Sequence, residues 1–230
     1  MKNTQRLFLG LAATAVIFAI ATIATRLYAS GTGFFPQSFV THSIMLVLSI
    51  VVILAFKKHF VFKVALPDIR SSGRAVLIAL LATIGINVLL AFAIKVTGVG
   101  MEAHPVLESS TPLQVFLFVF IYASLAEEML VRGFLQNLLA PLQTRGVVVF
   151  KRRLSLPVII GALVFGLLHL ILLTSGVSVL FVIRVVLFTT VLGLIAGYYQ
   201  EKHDNFAYAA LVHMAGNLPG LLAVFLSRGI

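Results

Sequence analysis

The 230-residue chain contains no cysteine. That excludes a disulfide framework, a thiolate metal site and a cysteine nucleophile together. Charge is also scarce. Only 10% of residues are Asp, Glu, Lys or Arg, whereas 60% are hydrophobic and the mean hydropathy is +1.11. A soluble domain carries roughly 25% charged residues, so this chain cannot cover a water-facing surface, and lipid is the solvent for most of it. Acids are scarcer than bases, 7 against 17, for a formal charge of +10. The bases fall in short loops between apolar runs, the pattern of the Lys/Arg excess that stays cytoplasmic. No basic groove with interleaved aromatics is present, which argues against a nucleic-acid partner. There is no soluble domain, linker, low-complexity tract or convincing repeat, so residues 1–230 read as one integral membrane domain.

What the sequence does have is long apolar runs. A membrane helix needs roughly 20 mostly apolar residues. Seven runs qualify: Leu7 to Leu27, Phe39 to Phe56, Ala75 to Ile94, Leu113 to Ala140, Leu156 to Leu173, Val177 to Gln200 and Phe206 to Leu226. They predict an all-α, polytopic transmembrane helical bundle of about seven spans, seven or eight. The fourth run is too long for a perpendicular span and predicts tilt or extension beyond the hydrocarbon. Lys2 and Arg6 precede the first run. Lys57, Lys58, Lys63, Arg70 and Arg74 lie in the second loop, and Arg145, Lys151, Arg152 and Arg153 in the fourth. The third loop holds Glu102 and Glu108 instead. This alternation predicts an N-terminus inside and a C-terminus outside. The first run is longer than a signal-peptide core, although small residues near Ala29 leave cleavage open.

Ionisable groups inside the bilayer cost several kcal/mol and mark functional sites. The fourth run contains Glu127, Glu128 and Arg132, the fifth His169, and the seventh His213 and Asn217. Glu128 and Arg132 are four apart, acid before base, and share a helix face. They read first as a buried ionic link between helices. Glu127 points about 100° away and is the candidate for chemistry. His213 and Asn217 also share a face; taken alone they read as interhelical hydrogen bonds. Pro219, two residues on, predicts a kink or widened turn because it cannot donate to the Ala215 carbonyl. The helical rise allows all four candidate groups to meet in one layer.

A carboxylate beside a neutral imidazole takes a proton from water. A second imidazole and an amide donate hydrogen bonds to an oxyanion. This is hydrolysis without a covalent enzyme intermediate. No Gly-x-Ser-x-Gly turn and no His-Glu-x-x-His pair is present. No cofactor is predicted, and a zinc held by Glu127, His169 and His213 is the alternative, since two imidazoles and a carboxylate form a catalytic ligand set.

The run Glu127-Glu128-Met129-Leu130-Val131-Arg132 resembles the Glu-Glu-x-x-x-Arg motif of the CPBP family, the CAAX prenyl protease 2-like membrane proteases also called the Abi family. Phe165-Gly166-Leu167-Leu168-His169 resembles its Phe-x-x-x-His, and His213-Met214-Ala215-Gly216-Asn217 its third motif. The motifs occur in family order, within a core of about residues 113–226. The resemblance implies an intramembrane endopeptidase, with Glu127 as the base and His169 helping to activate water. It implies His213 and Asn217 at the oxyanion, with Glu128 and Arg132 in support. It also implies a membrane-associated or lipidated, CAAX-like protein or peptide substrate. The expected setting is a prokaryotic plasma membrane with a cytoplasmic N-terminus and lipid all round. Better-known relatives have eight spans, and the seven counted here leave the substrate open, as is the oligomeric state.

Other polar residues read differently. Arg184 either meets a substrate carboxylate or an acid in a cavity, or snorkels to the interface. Gly193 and Gly197 form a small-xxx-small pair that suits helix packing. Asn87 suits an interhelical hydrogen bond. His42, His59, His104 and His203 read as interfacial or solvated. Two other function classes compete: a proton-coupled transporter, which predicts repeat symmetry in both halves, and a catalytically silent membrane scaffold. The polar constellation read from the sequence lies only in the C-terminal half.

Overall fold

The computed structural model describes residues 1–27, 33–96, 98, 102, 104–149 and 151–228. The cleavage position suggested near Ala29 lies outside them. Seven helices are long and apolar enough to cross a membrane: α1 (Asn3–Leu27), α2 (Gln37–Ala55), α3 (Ile69–Val96), α4 (Pro112–Gln136), α5 (Leu156–Ser175), α6 (Val179–His203) and α7 (Phe206–Arg228). The all-α polytopic bundle expected from the sequence is the observed architecture. Most ends fall within a few residues of expectation. The fourth helix is the main departure at its C-terminal end. Regular span structure ends at Gln136, and a 3₁₀ turn over Ala140–Leu142 reverses the chain around Pro141. The run is therefore shorter than its composition implied, and no excess length has to be tilted away. Two short strands, β1 (Gly146–Val149) and β2 (Arg152–Ser155), form an antiparallel hairpin between α4 and α5. The three consecutive valines of β1 suit that conformation. They pair strand to strand with residues that include the basic Arg152 and Arg153.

The outer helices show why lipid must surround the bundle. Leu77, Leu81, Val88 and Phe92 of α3 and Val47, Val51 and Leu54 of α2 are exposed. Helix α4 is the opposite case: every residue from Leu130 to Gln136 is buried. It packs with Ile17 and Ala21 of α1, Met45 of α2 and Phe165 of α5. A second core joins Ala75 and Ala79 of α3 to Ala196 of α6 and to Ala209, Val212 and Ala215 of α7. Small side chains let those backbones approach, which is how helices associate where lipid tails remove the hydrophobic drive. Gly166 is one point where nothing larger fits. A Cβ there would stand 2.0 Å from Thr190 Oγ1 and 2.9 Å from the Val186 carbonyl of α6.

Two features of the helices position the site. Helix α4 makes wide, π-type turns over Val115–Ala123 and Met129–Gln136 and returns to α-helical pairing only for Ser124–Glu128. The two adjacent glutamates thus sit on the one regular turn between two widened stretches, a form of irregularity frequent at functional sites. Helix α5 tightens at His169, where the His169 N–H turns to the Gly166 carbonyl and 3₁₀ turns continue to Ser175. Helix α7 runs unbroken from Phe206 to Arg228 with Pro219 inside it.

Candidate active site

Helix α4 supplies two carboxylates that meet different surroundings. Glu128 is closed off: its side chain is 1% exposed and its Oε1 lies 2.9 Å from Arg132 Nη1. The same oxygen lies 2.8 Å from His213 Nδ1. Arg132, 0% exposed, donates through Nη2 to the Gly193 carbonyl at 2.9 Å, and its guanidinium lies 4.8 Å from the Phe165 ring centre. Glu127 is the more open carboxylate, with 22% of its side chain exposed. His42 Nε2 contacts its Oε1 at 3.1 Å, and His213 Nε2 stands 3.6 Å from its Oε2. His213 therefore stands between the two glutamates, bonded to Glu128 and facing Glu127.

His169 takes the carbonyl that the tightening of α5 exposes. Its Nδ1 lies 2.9 Å from the Phe165 oxygen. A carbonyl only accepts, so Nδ1 carries the proton and the neutral ring keeps Nε2 as its lone-pair nitrogen. Phe165, 1% exposed, meets both histidines edge to face, with ring centres 5.1 Å from His169 and 5.3 Å from His213. One phenyl ring thus touches Arg132, His169 and His213 and fixes their spacing. Asn217 donates Nδ2 to Ser124 Oγ at 3.0 Å, and Ser124 passes its own hydrogen to the Phe120 carbonyl. The second N–H of the Asn217 amide remains for a ligand.

Two cavities meet at this layer. One, of about 450 Å³, lies among α1, α2, α5 and the short helix Pro105–Ser109. The other, of about 540 Å³, lies among α3, α4, α6 and α7 and reaches His213, Asn217 and Arg184. Glu127, His42, His104 and His169 line both. A group that reaches Glu127 from either side therefore arrives among three imidazoles.

Several expectations are corrected here. His42 is not interfacial; it hydrogen-bonds Glu127 from inside α2. The signal was present in the sequence, because an ionisable residue inside an apolar run is a site candidate wherever the run begins. His104 is not solvated either. Its Nδ1 accepts the Val106 N–H at 3.3 Å and caps the short helix, and burial holds its pKa down to about 4. It is a neutral imidazole with its remaining proton on Nε2. His203 stacks on Tyr208 with ring centres 4.1 Å apart, and His59 lies 3.4 Å from Arg6 Nη2 through Nδ1. Asn87 bonds the Thr83 carbonyl of its own helix at 2.9 Å, not a neighbour, and lines the larger cavity. Arg184 does not snorkel away; it lines the same cavity. The polar constellation is also not confined to the C-terminal half, since His42 joins it.

Gly193 and Gly197 do more than pack. Their carbonyls accept Arg132 Nη2 and Gln136 Nε2, at 2.9 and 3.0 Å. A Cβ at either would fall 2.7 Å from Arg132 Nη2 or 2.6 Å from Gln136 Oε1. The small pair leaves room for two polar side chains to reach backbone oxygens. Gln136 and Ser124 had no distinguishing pattern in the sequence, because their partners are on other helices. As for metal, Glu127, His169 and His213 have suitable donor chemistry, but among the described residues no group of three or more His, Asp or Glu side chains is arranged to hold an ion.

Residues 109–219 match the family model described as type II CAAX prenyl endopeptidase Rce1-like. No curated protein and no solved structure matches the chain. The matched stretch contains Glu127, Glu128, Arg132, His169, His213 and Asn217, whereas His42 and His104 come from outside it. The seven-helix chain thus carries, over residues 109–219, an Rce1-like domain of the type II CAAX prenyl endopeptidase family.

Proposed function

We propose that the chain is an intramembrane endopeptidase that hydrolyses a peptide bond of a membrane-associated, lipidated or CAAX-like substrate with water activated by Glu127. The observation that carries the reading is the contrast between the two glutamates. Glu128 is closed by Arg132 and His213, while Glu127 opens onto both cavities beside His42 and His169. His42 engages Oε1 of Glu127 and leaves Oε2 as the basic oxygen. A water between Oε2 and His169 Nε2 loses its proton to Glu127, and the hydroxide adds to the scissile carbonyl carbon. The oxyanion accepts from the spare N–H of Asn217 and from His213 Nε2. Donation by Nε2 requires a proton there besides the one shared with Glu128. Collapse of the intermediate breaks the C–N bond as the proton held by Glu127 passes to the leaving amine. No step passes through a metal.

The direct test is purified protein in liposomes with an S-farnesyl-cysteinyl peptide ending in three apolar residues. Cleavage is expected, and is expected to survive stringent chelation. Loss of activity on chelation, with recovery on adding zinc, would replace this mechanism by a metal-assisted one.

We also propose a cytoplasmic N-terminus and an external C-terminus, supported by the basic residues on alternate loops. In that orientation the cavities open among helix ends on the side of Glu102 and Glu108, away from the basic loops, so the substrate approaches from the non-cytoplasmic half of the bilayer. A protease-sensitive tag after Ile230 should be cut by external protease in intact cells. Protection of that tag would reverse both assignments.

A further inference from the structure

Arg184 is a cation that the mechanism above does not use. It lies near the start of α6, in an apolar helix, where a charge is costly unless it serves a function. Its guanidinium lies 4.9 Å from the Phe181 ring centre, and Nη2 donates to the Glu102 backbone carbonyl at 2.9 Å. No carboxylate among the described residues is within ion-pair distance of it. Glu102 is the nearest acid, yet its Oε2 accepts the Ser178 N–H at 3.1 Å, at the start of α6. The arginine is thus positioned by an aromatic face and a carbonyl, and its other N–H groups remain for a ligand.

Position along α6 gives a ruler. Gly193 marks the level of the catalytic layer, because its carbonyl holds the arginine that grips Glu128. Arg184 lies nine residues earlier, or about 14 Å of helix. The larger cavity joins the two levels, running from His213, Asn217 and Glu127 to Arg184. An extended peptide covers about 3.3–3.6 Å per residue. Three or four residues therefore span the distance between the reacting carbonyl and the guanidinium. Arginine suits a carboxylate there, since its planar fork matches both oxygens.

We propose that Arg184 and the outer part of the larger cavity bind the free C-terminal carboxylate of the substrate, three or four residues beyond the scissile bond. The inference rests on the endopeptidase reading and assigns that site its selectivity: a short C-terminal segment ending in a free acid. An internal peptide segment, or one with a blocked C-terminus, leaves Arg184 unpaired and is disfavoured.

The test uses two farnesyl-cysteinyl peptides that differ only in a C-terminal acid or amide, with the full-length protein in liposomes. A hydrogen bond to a charged group contributes about 1.5–3 kcal/mol, so wild-type kcat/KM should favour the acid by about tenfold or more. In Arg184→Gln that ratio should collapse toward parity, and in Arg184→Lys it should be kept in part. Equal cleavage of acid and amide by the wild type, or an unchanged ratio in Arg184→Gln, overturns the proposal. Binding of the same fluorescently labelled peptides is measured in parallel on a Glu127→Gln background, so the subsite is judged even without turnover. If the wild type cleaves neither peptide, the endopeptidase reading fails for this substrate class. Preferential binding of the acid that disappears with Arg184→Gln still supports the subsite, and equal binding of acid and amide refutes it.

Discussion

Glu127→Gln should give a folded protein that cleaves about 10²–10⁴-fold more slowly than the wild type, the usual cost of removing a general base. The substitution changes one oxygen to nitrogen and keeps the shape of the side chain. Its carbonyl oxygen still accepts from His42, so the contact at Oε1 survives. What disappears is the basic oxygen facing the cavities. Initial rates and melting temperature, measured in the same liposome or detergent, decide the matter. Unchanged cleavage by Glu127→Gln would remove this base from the mechanism.

The neighbouring glutamate should behave differently. Glu128→Gln leaves Arg132 charged, 0% exposed and without its carboxylate. Removing one member of a buried ion pair costs about 3–5 kcal/mol. The lower end applies here, because the Gly193 carbonyl and the Phe165 face continue to hold the guanidinium. The variant should also lose rate, since His213 leans on the same oxygen through Nδ1. Adding Arg132→Met to Glu128→Gln removes the stranded charge and should recover most of the stability without recovering the rate. A double variant no more stable than the single one would show that the ion pair is not what holds this layer together.

The shared dependence of Arg132 and His213 on Glu128 was not legible from spacing. A four-residue interval on one helix predicts Glu128 with Arg132, and that pair forms. It says nothing about the third partner, which arrives from α7. The same limit explains His42. Its position within α2 was readable, but its meaning depends on how α2 is rotated against α4, and the residues that set that rotation are apolar ones such as Met45 and Leu130. Gly193 and Gly197 show the limit from the other side. Their spacing announces a close helix contact, and only the arrangement of α4 against α6 turns their carbonyls into acceptors.

The sequence by itself determined the number of spans, their approximate ends, and the residues too polar to face lipid. It could do so because each is a local consequence of one solvent. A backbone in hydrocarbon must satisfy its own hydrogen bonds as helix, and a charge there must find a partner or a function. The sequence also carried the three motifs that the family match over residues 109–219 bears out. Only the tertiary structure decided which polar groups meet. It placed His42 on Glu127 and His213 between the two glutamates, set His104 at the junction of the cavities, and gave Arg184 a cavity to face. Those contacts join helices far apart in the chain. They follow from rotation and offset, which close packing of small side chains fixes and which no repeat within a single helix encodes.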